Sequence, residues 1–395
     1  MKIMKTSLEL VLIVFSINLL YSCKGSDEWN DNHSSGEQFI GLYNPGESQI
    51  LGSDACMVIM SGKNGNAEYG ATYAIYPYDY KLGDCCVIKN NKMVIGLHSD
   101  FNEGPSRTGE FYDFDEGYVY SLPYIMPEEE DDYGSVEAES VTMSENGYVF
   151  YISATRDTRY ADQYTPHLLR FDPKNEELRV ADLPHAFTLA QPEKGGDTEV
   201  GLFDNRLFPS ADGQYVYGRL EAAGVDGGVF HTDYTFIFRY DFETDQYQRI
   251  ADGHRSVVIY GMTANGNHLV FKSWYGEETR MFIYNASTDN VEQRPFWAHE
   301  FLKNPSSWNN YGYLRDGGYR ISYANVVNEI WVDVLNKLPG KASNIQFSKN
   351  KDFIFFSLSG DNENYLCKSS GLEAGSTIDT LFAYSKEIMS CLVLN

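Results

Sequence analysis

The residues best suited to binding chemistry are a group of aromatic side chains between positions 274 and 308. Trp274, Trp297 and Trp308 are three of the five tryptophans in this 395-residue chain, and Tyr275 adds a fourth ring. An aromatic face packs against the apolar face of a sugar ring, and asparagine side chains such as Asn309 hydrogen-bond sugar hydroxyls. These four aromatic residues therefore predict a binding platform for a neutral glycan. The alternative is that the same rings pack in the protein core.

No stretch of the sequence has the spacing of a familiar catalytic or metal-binding motif. The patterns Gly-x-Ser-x-Gly, His-Glu-x-x-His, Gly-x-Gly-x-x-Gly and Walker A are absent. The eight histidines show no metal-ligand spacing, and the acidic run Glu128–Asp132 lacks the turn glycine of a calcium loop. We therefore expect no metal, no cofactor and no catalytic residue, which favours a binding protein over an enzyme.

Composition limits the class of partner. Fifty-six acidic residues face 31 Lys and Arg, for a formal net charge of -25. Binding to nucleic acid requires basic side chains that neutralise phosphates, so a nucleic-acid partner is excluded. With 43% hydrophobic and 15% aromatic residues, the chain has enough apolar material for a packed core rather than a disordered state.

The N-terminal residues predict an export signal followed by a lipid anchor. Lys2 and Lys5 precede the stretch Leu8–Leu20, which is too short and too often interrupted by polar residues to span a bilayer well. The sequence Leu-Tyr-Ser-Cys at Leu20–Cys23 then resembles the lipobox of bacterial lipoproteins. That resemblance implies a signal peptide at residues 1–22 and acylation of Cys23, which holds a protein firmly to a membrane. The alternative is an ordinary secretory signal.

A short polar segment separates this signal from the rest of the chain. Residues 23–36 lack apolar periodicity and predict a flexible tether. Asp27 and Glu28 resemble the export signal of surface lipoproteins in Bacteroidota. The resemblance implies a lipid-anchored protein of the outer membrane, on the cell surface or the periplasmic face.

One turn sequence recurs before short runs of aromatic and β-branched residues. Ser144–Gly147, Ser210–Gly213 and Thr263–Gly266 each read small hydroxyl, any residue, Asn or Asp, Gly, and Ser348–Lys351 is a fourth copy without the glycine. Asn-Gly and Asp-Gly supply the positive φ of a tight hairpin turn, and the hydroxyl bonds the turn backbone. Each copy therefore predicts a β-hairpin, and few segments show the period of a helix.

A second pattern follows the turns. His167–Leu178, Phe236–Tyr247 and Arg280–Val291 share apolar residues, an aromatic, an Asp or Asn, a polar turn and a returning strand. This is the pattern of a hairpin whose turn is capped by a side chain. The two patterns in succession give the strand order of a four-stranded antiparallel blade.

The repeats predict an all-β fold with six or seven four-stranded antiparallel blades in residues 37–395. Further blades are expected at Cys86–Leu122 and near Tyr311–Leu338, and another from residues 38–85 is completed by a strand near Cys391–Asn395. The turn patterns resemble those of TolB-like and Kelch-like β-propellers. With the lipobox, the chain is similar to propeller lipoproteins of Bacteroidota. The alternative is a β-sandwich or two stacked β domains, but radial repetition hides sheet edges and explains the self-similarity.

Two functions remain open from the sequence. The first is a membrane-anchored lipoprotein that displays a propeller to bind a glycan or a cell-surface protein without catalysis. The second is a propeller enzyme, a glycoside hydrolase or polysaccharide lyase, acting on an exported carbohydrate. The absence of a visible catalytic constellation favours the first.

Overall fold

The computed structural model describes strands and turns from residue 38 onward. The described residues are 38–43, 55–63, 66–75, 86–90, 92–96, 109–116, 118–123, 137–156, 164–181, 198–226, 229–251, 255–262, 267–275, 278–294, 311–325, 327–348, 352–386 and 388–394. They belong to one compact unit, Glu37–Asn395. Apart from a short 3-10 turn at Asp316–Gly318, every element in these ranges is a β-strand.

The first and last strands of the described chain lie side by side. The first three strands are β1 Gln38–Tyr43, β2 Ala55–Lys63 and β3 Asn66–Ile75. The last strand, β27 Ile388–Leu394, pairs antiparallel with β1, so that Gln38 faces Leu394. The predicted closure of the N-terminal sheet by a C-terminal strand is confirmed.

Four sheets follow, each built from four consecutive antiparallel strands. The first holds β4 Cys86–Lys89, β5 Lys92–Gly96, β6 Gly109–Asp113 and β7 Tyr118–Ser121. The second holds β8 Glu137–Met143, β9 Val149–Arg156, β10 Tyr164–Asp172 and β11 Glu177–Ala181. The third holds β12 Thr198–Pro209, β13 Tyr215–Asp226, β14 Val229–Asp241 and β15 Gln246–Ile250. The fourth holds β16 Arg255–Met262, β17 His268–Tyr275, β18 Glu278–Asn285 and β19 Asn290–Arg294.

The remaining strands form one three-stranded antiparallel sheet and part of a larger one. The three-stranded sheet holds β20 Tyr311–Arg315, β21 Arg320–Asn325 and β22 Ile330–Leu335. The larger sheet includes β23 Ala342–Phe347, β24 Ile354–Ser359, β25 Glu363–Ser369 and β26 Ile378–Ser385.

The blade count differs from the six or seven separate blades predicted. Across the described ranges there are five separate sheets, one of which has three strands instead of four, and one eight-stranded sheet. The eight-stranded sheet forms because β26 and β3 meet in a single parallel bridge between Ala383 and Asn66. All its other strand pairs are antiparallel, and they divide into β23–β26 on one side of the bridge and β3, β2, β1 and β27 on the other.

The recurring Ser-x-Asn/Asp-Gly sequences form the predicted tight turns where the structure describes them. Gly147 and Gly213 have φ of 93° and 71°, values that favour glycine. The Ser144 hydroxyl accepts a hydrogen bond from the Tyr148 amide at 3.0 Å, and Ser210 does the same for Tyr215 at 2.9 Å. The third copy, Thr263–Gly266, lies outside the described residues.

The second pattern forms the side-chain-capped turn that the sequence predicts. Asp172, Asp241 and Asn285 each accept a hydrogen bond from the amide two residues ahead, at 3.0, 2.9 and 3.0 Å. The equivalent residues Glu176, Asp245 and Asp289 then take positive φ of 52–53° and turn the chain into the fourth strand.

Hydrophobic clusters join several pairs of neighbouring sheets. One cluster packs Phe150 and Leu168 of the β8–β11 sheet against Val216 and Phe238 of the β12–β15 sheet. Another packs Tyr217 of that sheet against the β16–β19 sheet. Successive four-stranded antiparallel sheets that share cores face to face are the blades of a β-propeller.

Candidate functional site

The predicted aromatic platform falls partly within the described residues. Trp274 and Tyr275 are the last two residues of β17, and their backbones pair with Thr279 and Glu278 of β18. Trp297 and Trp308 lie outside the described residues, as does the predicted lipidation residue Cys23. The structure therefore places the backbones of two of the four platform residues on one sheet, and the platform itself stays a prediction.

The end of the β16–β19 sheet that carries Trp274 is also where the chain leaves the sheet. Arg294, the last residue of β19, lies opposite Met281, which in turn lies opposite Lys272 of β17. Lys272 is two residues before Trp274. The segment that contains Trp297 and Trp308 therefore begins at the same end of the sheet as Trp274 and Tyr275.

A polar cleft opens at the other end of β17, between the β12–β15 and β16–β19 sheets. Its volume is about 270 Å³. It is lined by residues of the β12–β13 turn, by β13 and β14, and by two turns of the following sheet. The lining residues are Ser210, Ala211, Asp212, Tyr215, Tyr217, Arg239, Asn267, Ala286 and Ser287.

The two charged groups of the cleft are Arg239 and Asp212. The half-buried Arg239 on β14 lies 5.0 Å from the ring centre of Tyr215 and donates a hydrogen bond to Gln248 of β15. The exposed Asp212 accepts hydrogen bonds from the Ser210 hydroxyl at 2.5 Å and the Gln214 amide at 3.1 Å. Within the described ranges neither charge is paired with an opposite charge.

The Tyr217 phenol adds a neutral donor to the cleft. Burial raises the pKa of Tyr217 to about 12, although the neighbouring Arg239 acts in the opposite direction. The hydroxyl therefore stays protonated at neutral pH. Its ring packs against Tyr284 of the next sheet, with 6.3 Å between ring centres, which fixes the floor of the cleft.

Asp241 holds the turn that ends the Arg239 strand. Burial acts to raise its pKa, but hydrogen bonds from Glu243, Thr244 and Gln214 outweigh burial, so the pKa lies below its usual value. The carboxylate therefore stays ionised at neutral pH and keeps the β14–β15 turn closed. Arg239, two residues earlier, is positioned by this fixed turn.

The described residues offer binding groups rather than a metal centre. Among them no group of three His, Cys, Asp or Glu side chains is placed to hold a metal ion. No helix in the same part of the chain has the length and hydrophobicity needed to cross a membrane. The cleft combines one cation, one carboxylate, hydroxyls and an amide, which suits a small polar ligand with both charges.

The sequence interpretation missed the cleft residues. Arg239, Ala286 and Ser287 lie inside the repeated patterns, which predict only a strand and a turn at these positions. A signal was available, because aligning the repeats sets Ala286 and Ser287 against Phe242 and Glu243. Two small residues replace two large ones at the same turn, and such a replacement leaves space.

Comparisons with known proteins give similarity in fold alone. No protein-family model matches the chain, and no curated protein matches it. Among solved structures, TolB from Acinetobacter baumannii is 12% identical, with 85% of this chain and 79% of that chain covered and a TM-score of 0.39. The periplasmic gluconolactonase PpgL of Pseudomonas aeruginosa is 12% identical over 91% and 99%, with a TM-score of 0.47. A Synechocystis apocarotenoid oxygenase mutant is 10% identical over 91% and 92%, with a TM-score of 0.49. Because these identities and TM-scores are low, the assignment of blades depends on the strand order of the sheets described above.

Proposed function

We propose that this chain is an exported lipoprotein of the outer membrane, tethered through Cys23, whose β-propeller binds a glycan without catalysis. The bound glycan lies on the end of the β16–β19 sheet where Trp274 and Tyr275 are placed. Eight described strands, β23–β26 with β27 and β1–β3, make up two further blades, so the propeller has seven.

The observation that carries the glycan site is the shared sheet end. Trp297 follows Arg294 by three residues, and three residues span at most about 10 Å. The segment that leads to Trp297 therefore starts from Arg294, at the same end of the sheet as Trp274. The proposal is that these aromatic rings gather at this sheet end and present the flat apolar surface on which a sugar ring packs. A rigid sheet below the rings supports a preformed site, which lowers the entropy cost of binding.

The seven-blade proposal rests on strand pairing. A single bridge between Ala383 and Asn66 joins the two halves of the eight-stranded sheet, whereas neighbouring strands within each half are joined by antiparallel ladders of at least four residue pairs. Each half has the four strands of the other complete blades. In the half that contains β3, β2, β1 and β27, the pairing of β27 with β1 joins the first and last strands of the propeller unit in one blade.

A glycan array probed with the purified full-length protein tests the binding site. The expected result is binding by the unmodified protein and a loss of at least about tenfold in Trp274→Ala and in Trp297→Ala, because each removes a stacking surface. Trp331→Ala, in the separate β22 strand, is the matched control and should bind as the unmodified protein does. Equal binding by all variants would overturn the aromatic site. Release of soluble products from a bound polysaccharide would overturn the noncatalytic part.

Membrane fractionation tests the tether. Cells that express the protein and are fed labelled palmitate should yield a labelled membrane protein, and Cys23→Ala should be unlabelled and soluble. A Cys23→Ala protein that still fractionates with the membrane would contradict the lipid anchor.

A further inference from the structure

The cleft between the β12–β15 and β16–β19 sheets corresponds to a position that is filled one blade earlier. In the β8–β11 sheet, Arg170 occupies the place that Arg239 has in the next sheet, since each lies two residues before the turn-capping Asp172 or Asp241. Arg170 pairs across β9 with Phe150, and Arg239 pairs across β13 with Tyr217. The two arginines therefore occupy equivalent positions facing equivalent joints between blades.

In the filled joint, Arg170 is enclosed by the turns of the following sheet. Its guanidinium donates to the Gly213 carbonyl at 3.1 Å and to the Glu243 carboxylate at 3.0 Å. It also lies between two rings, 4.8 Å from the centre of Tyr148 and 5.1 Å from that of Phe242. Phe242 and Glu243 thus supply a ring and a carboxylate to the arginine of the previous blade.

In the open joint, the equivalent turn supplies neither group. The Phe242 amide donates to the Gln214 carbonyl at 3.1 Å, and the Ala286 amide donates to Asn267 at 2.8 Å, so Ala286 is the counterpart of Phe242. Ser287 is then the counterpart of Glu243. Both small residues line the cleft. Among the described residues the open joint has one ring and one carboxylate fewer, and the cleft lies where they would be.

The open joint has also gained a negative charge. In the filled joint, Asn146 bridges the blades by donating its amide to the Asp212 carbonyl at 2.6 Å. The counterpart of Asn146 in the next turn is Asp212 itself, whose carboxylate has no proton to donate. Asp212 lines the cleft as an acceptor for a cationic donor instead.

We propose that the cleft binds a free aromatic α-amino acid, whose carboxylate pairs with Arg239, whose ammonium pairs with Asp212 and whose ring fills the space above Ala286. The ring and the carboxylate of the ligand take the places that Phe242 and Glu243 have in the filled joint. The ammonium is the donor that Asp212 accepts from. Arg239 has donors left for a carboxylate, because its guanidinium carries five N–H groups and its hydrogen-bond partners among the described residues are Gln248 and the Tyr217 hydroxyl. The protonated Tyr217 hydroxyl and Ser287 provide neutral hydrogen bonds beside the charges.

Calorimetric titration of the purified full-length protein with L-phenylalanine tests the ligand class. We expect binding by the unmodified protein and a loss of at least about tenfold with 3-phenylpropanoate, which lacks the ammonium, and with phenethylamine, which lacks the carboxylate. Glycine should bind at least about tenfold more weakly because it lacks the ring. Absence of heat with L-phenylalanine up to millimolar concentration would overturn the proposal. Equal affinity for 3-phenylpropanoate would also overturn it, since Asp212 would then have no role.

Two kinds of variant locate the site. The double substitution Ala286→Phe with Ser287→Glu rebuilds the filled joint and should abolish binding while raising the thermal midpoint of unfolding. Asp212→Asn and Arg239→Gln should each weaken binding at least about tenfold without closing the cleft. Glu243→Gln, in the filled joint, is the matched control and should leave the affinity unchanged. Binding that persists in the closed double variant, or that is lost in Glu243→Gln, would place the ligand elsewhere and overturn the assignment.

Discussion

Replacement of Arg170 by methionine tests whether the joint between blades is held by this side chain. Arg170 is 6% exposed, and its charge is shared between the Gly213 carbonyl and Glu243. Loss of a charge-assisted hydrogen bond to a buried carbonyl costs about 1.5–3 kcal/mol. Loss of the contacts with Tyr148 and Phe242 costs about 0.5–1 kcal/mol each. Glu243 is half exposed, so its ion pair adds about 1 kcal/mol at most.

The expected decrease in the free energy of unfolding is therefore about 2.5–6 kcal/mol for Arg170→Met. Arg239→Met is the matched control in the open joint. Arg239 bonds to Gln248 within its own sheet and packs on Tyr215. We expect its loss to cost about 1–2 kcal/mol, because no group of the following blade is left without a partner.

Urea denaturation of the two variants and the unmodified protein, without added ligand, measures the difference. Circular dichroism and tyrosine fluorescence should give coincident transitions, and the slope of free energy against urea should be unchanged. An Arg170→Met protein that loses no more stability than Arg239→Met would refute the argument, because the two joints would then depend equally on their arginines.

Further perturbations concern the turn glycines and the partly buried His268. Gly213→Ala should lower the free energy of unfolding by about 2–3 kcal/mol, because the new Cβ lies 2.3 Å from the Tyr148 ring at a φ of 71°. Gly147→Ala meets no atom within 4 Å and should cost about 1 kcal/mol by the same denaturation assay; equal costs would contradict the steric argument. Burial, with the charge of Arg294, lowers the pKa of His268. In the unfolded chain His268 has a pKa of about 6.5, so below that pH the unfolded chain binds more protons than the folded one. The free energy of unfolding is therefore highest above pH of about 6.5 and decreases as the pH falls from there through the pKa of His268 in the folded protein. His268→Gln should flatten the thermal midpoint against pH in that window, and an unchanged profile would contradict it.

Local chemistry accounts for the parts of the fold that the sequence predicts. The turn at Ser210–Gly213 requires a glycine for its positive φ and a hydroxyl for its amide, and both requirements are visible in four residues. The capping of the third turn by Asn285 is equally local. These features depend on residue types that have few alternative uses.

The missed features depend on relations between distant residues. The bridge between Asn66 and Ala383 follows from the approach of two sheets, and neither residue type indicates it. The cleft arises where Ala286 and Ser287 are too small to reach Arg239, and small turn residues have no motif. Only comparison with Phe242 and Glu243 in the preceding repeat shows that a ring and a carboxylate are absent from this turn. The platform at Trp274 is predicted from residue type alone, and it stays a prediction because Trp297 and Trp308 lie outside the described residues.

The pairing of β27 with β1 also sets an order of events during biosynthesis. Gln38 pairs with Leu394, so almost all of the chain is made between the two partners. Of the described strands, β1 is the first to leave the ribosome and β27 the last. The outer backbone groups of β1 must therefore wait for the end of synthesis, and a chain cut short keeps an exposed edge that invites aggregation or proteolysis. Only a chain that extends through Leu394 covers the edge of β1. Shortened chains are therefore the ones that proteases and aggregation remove.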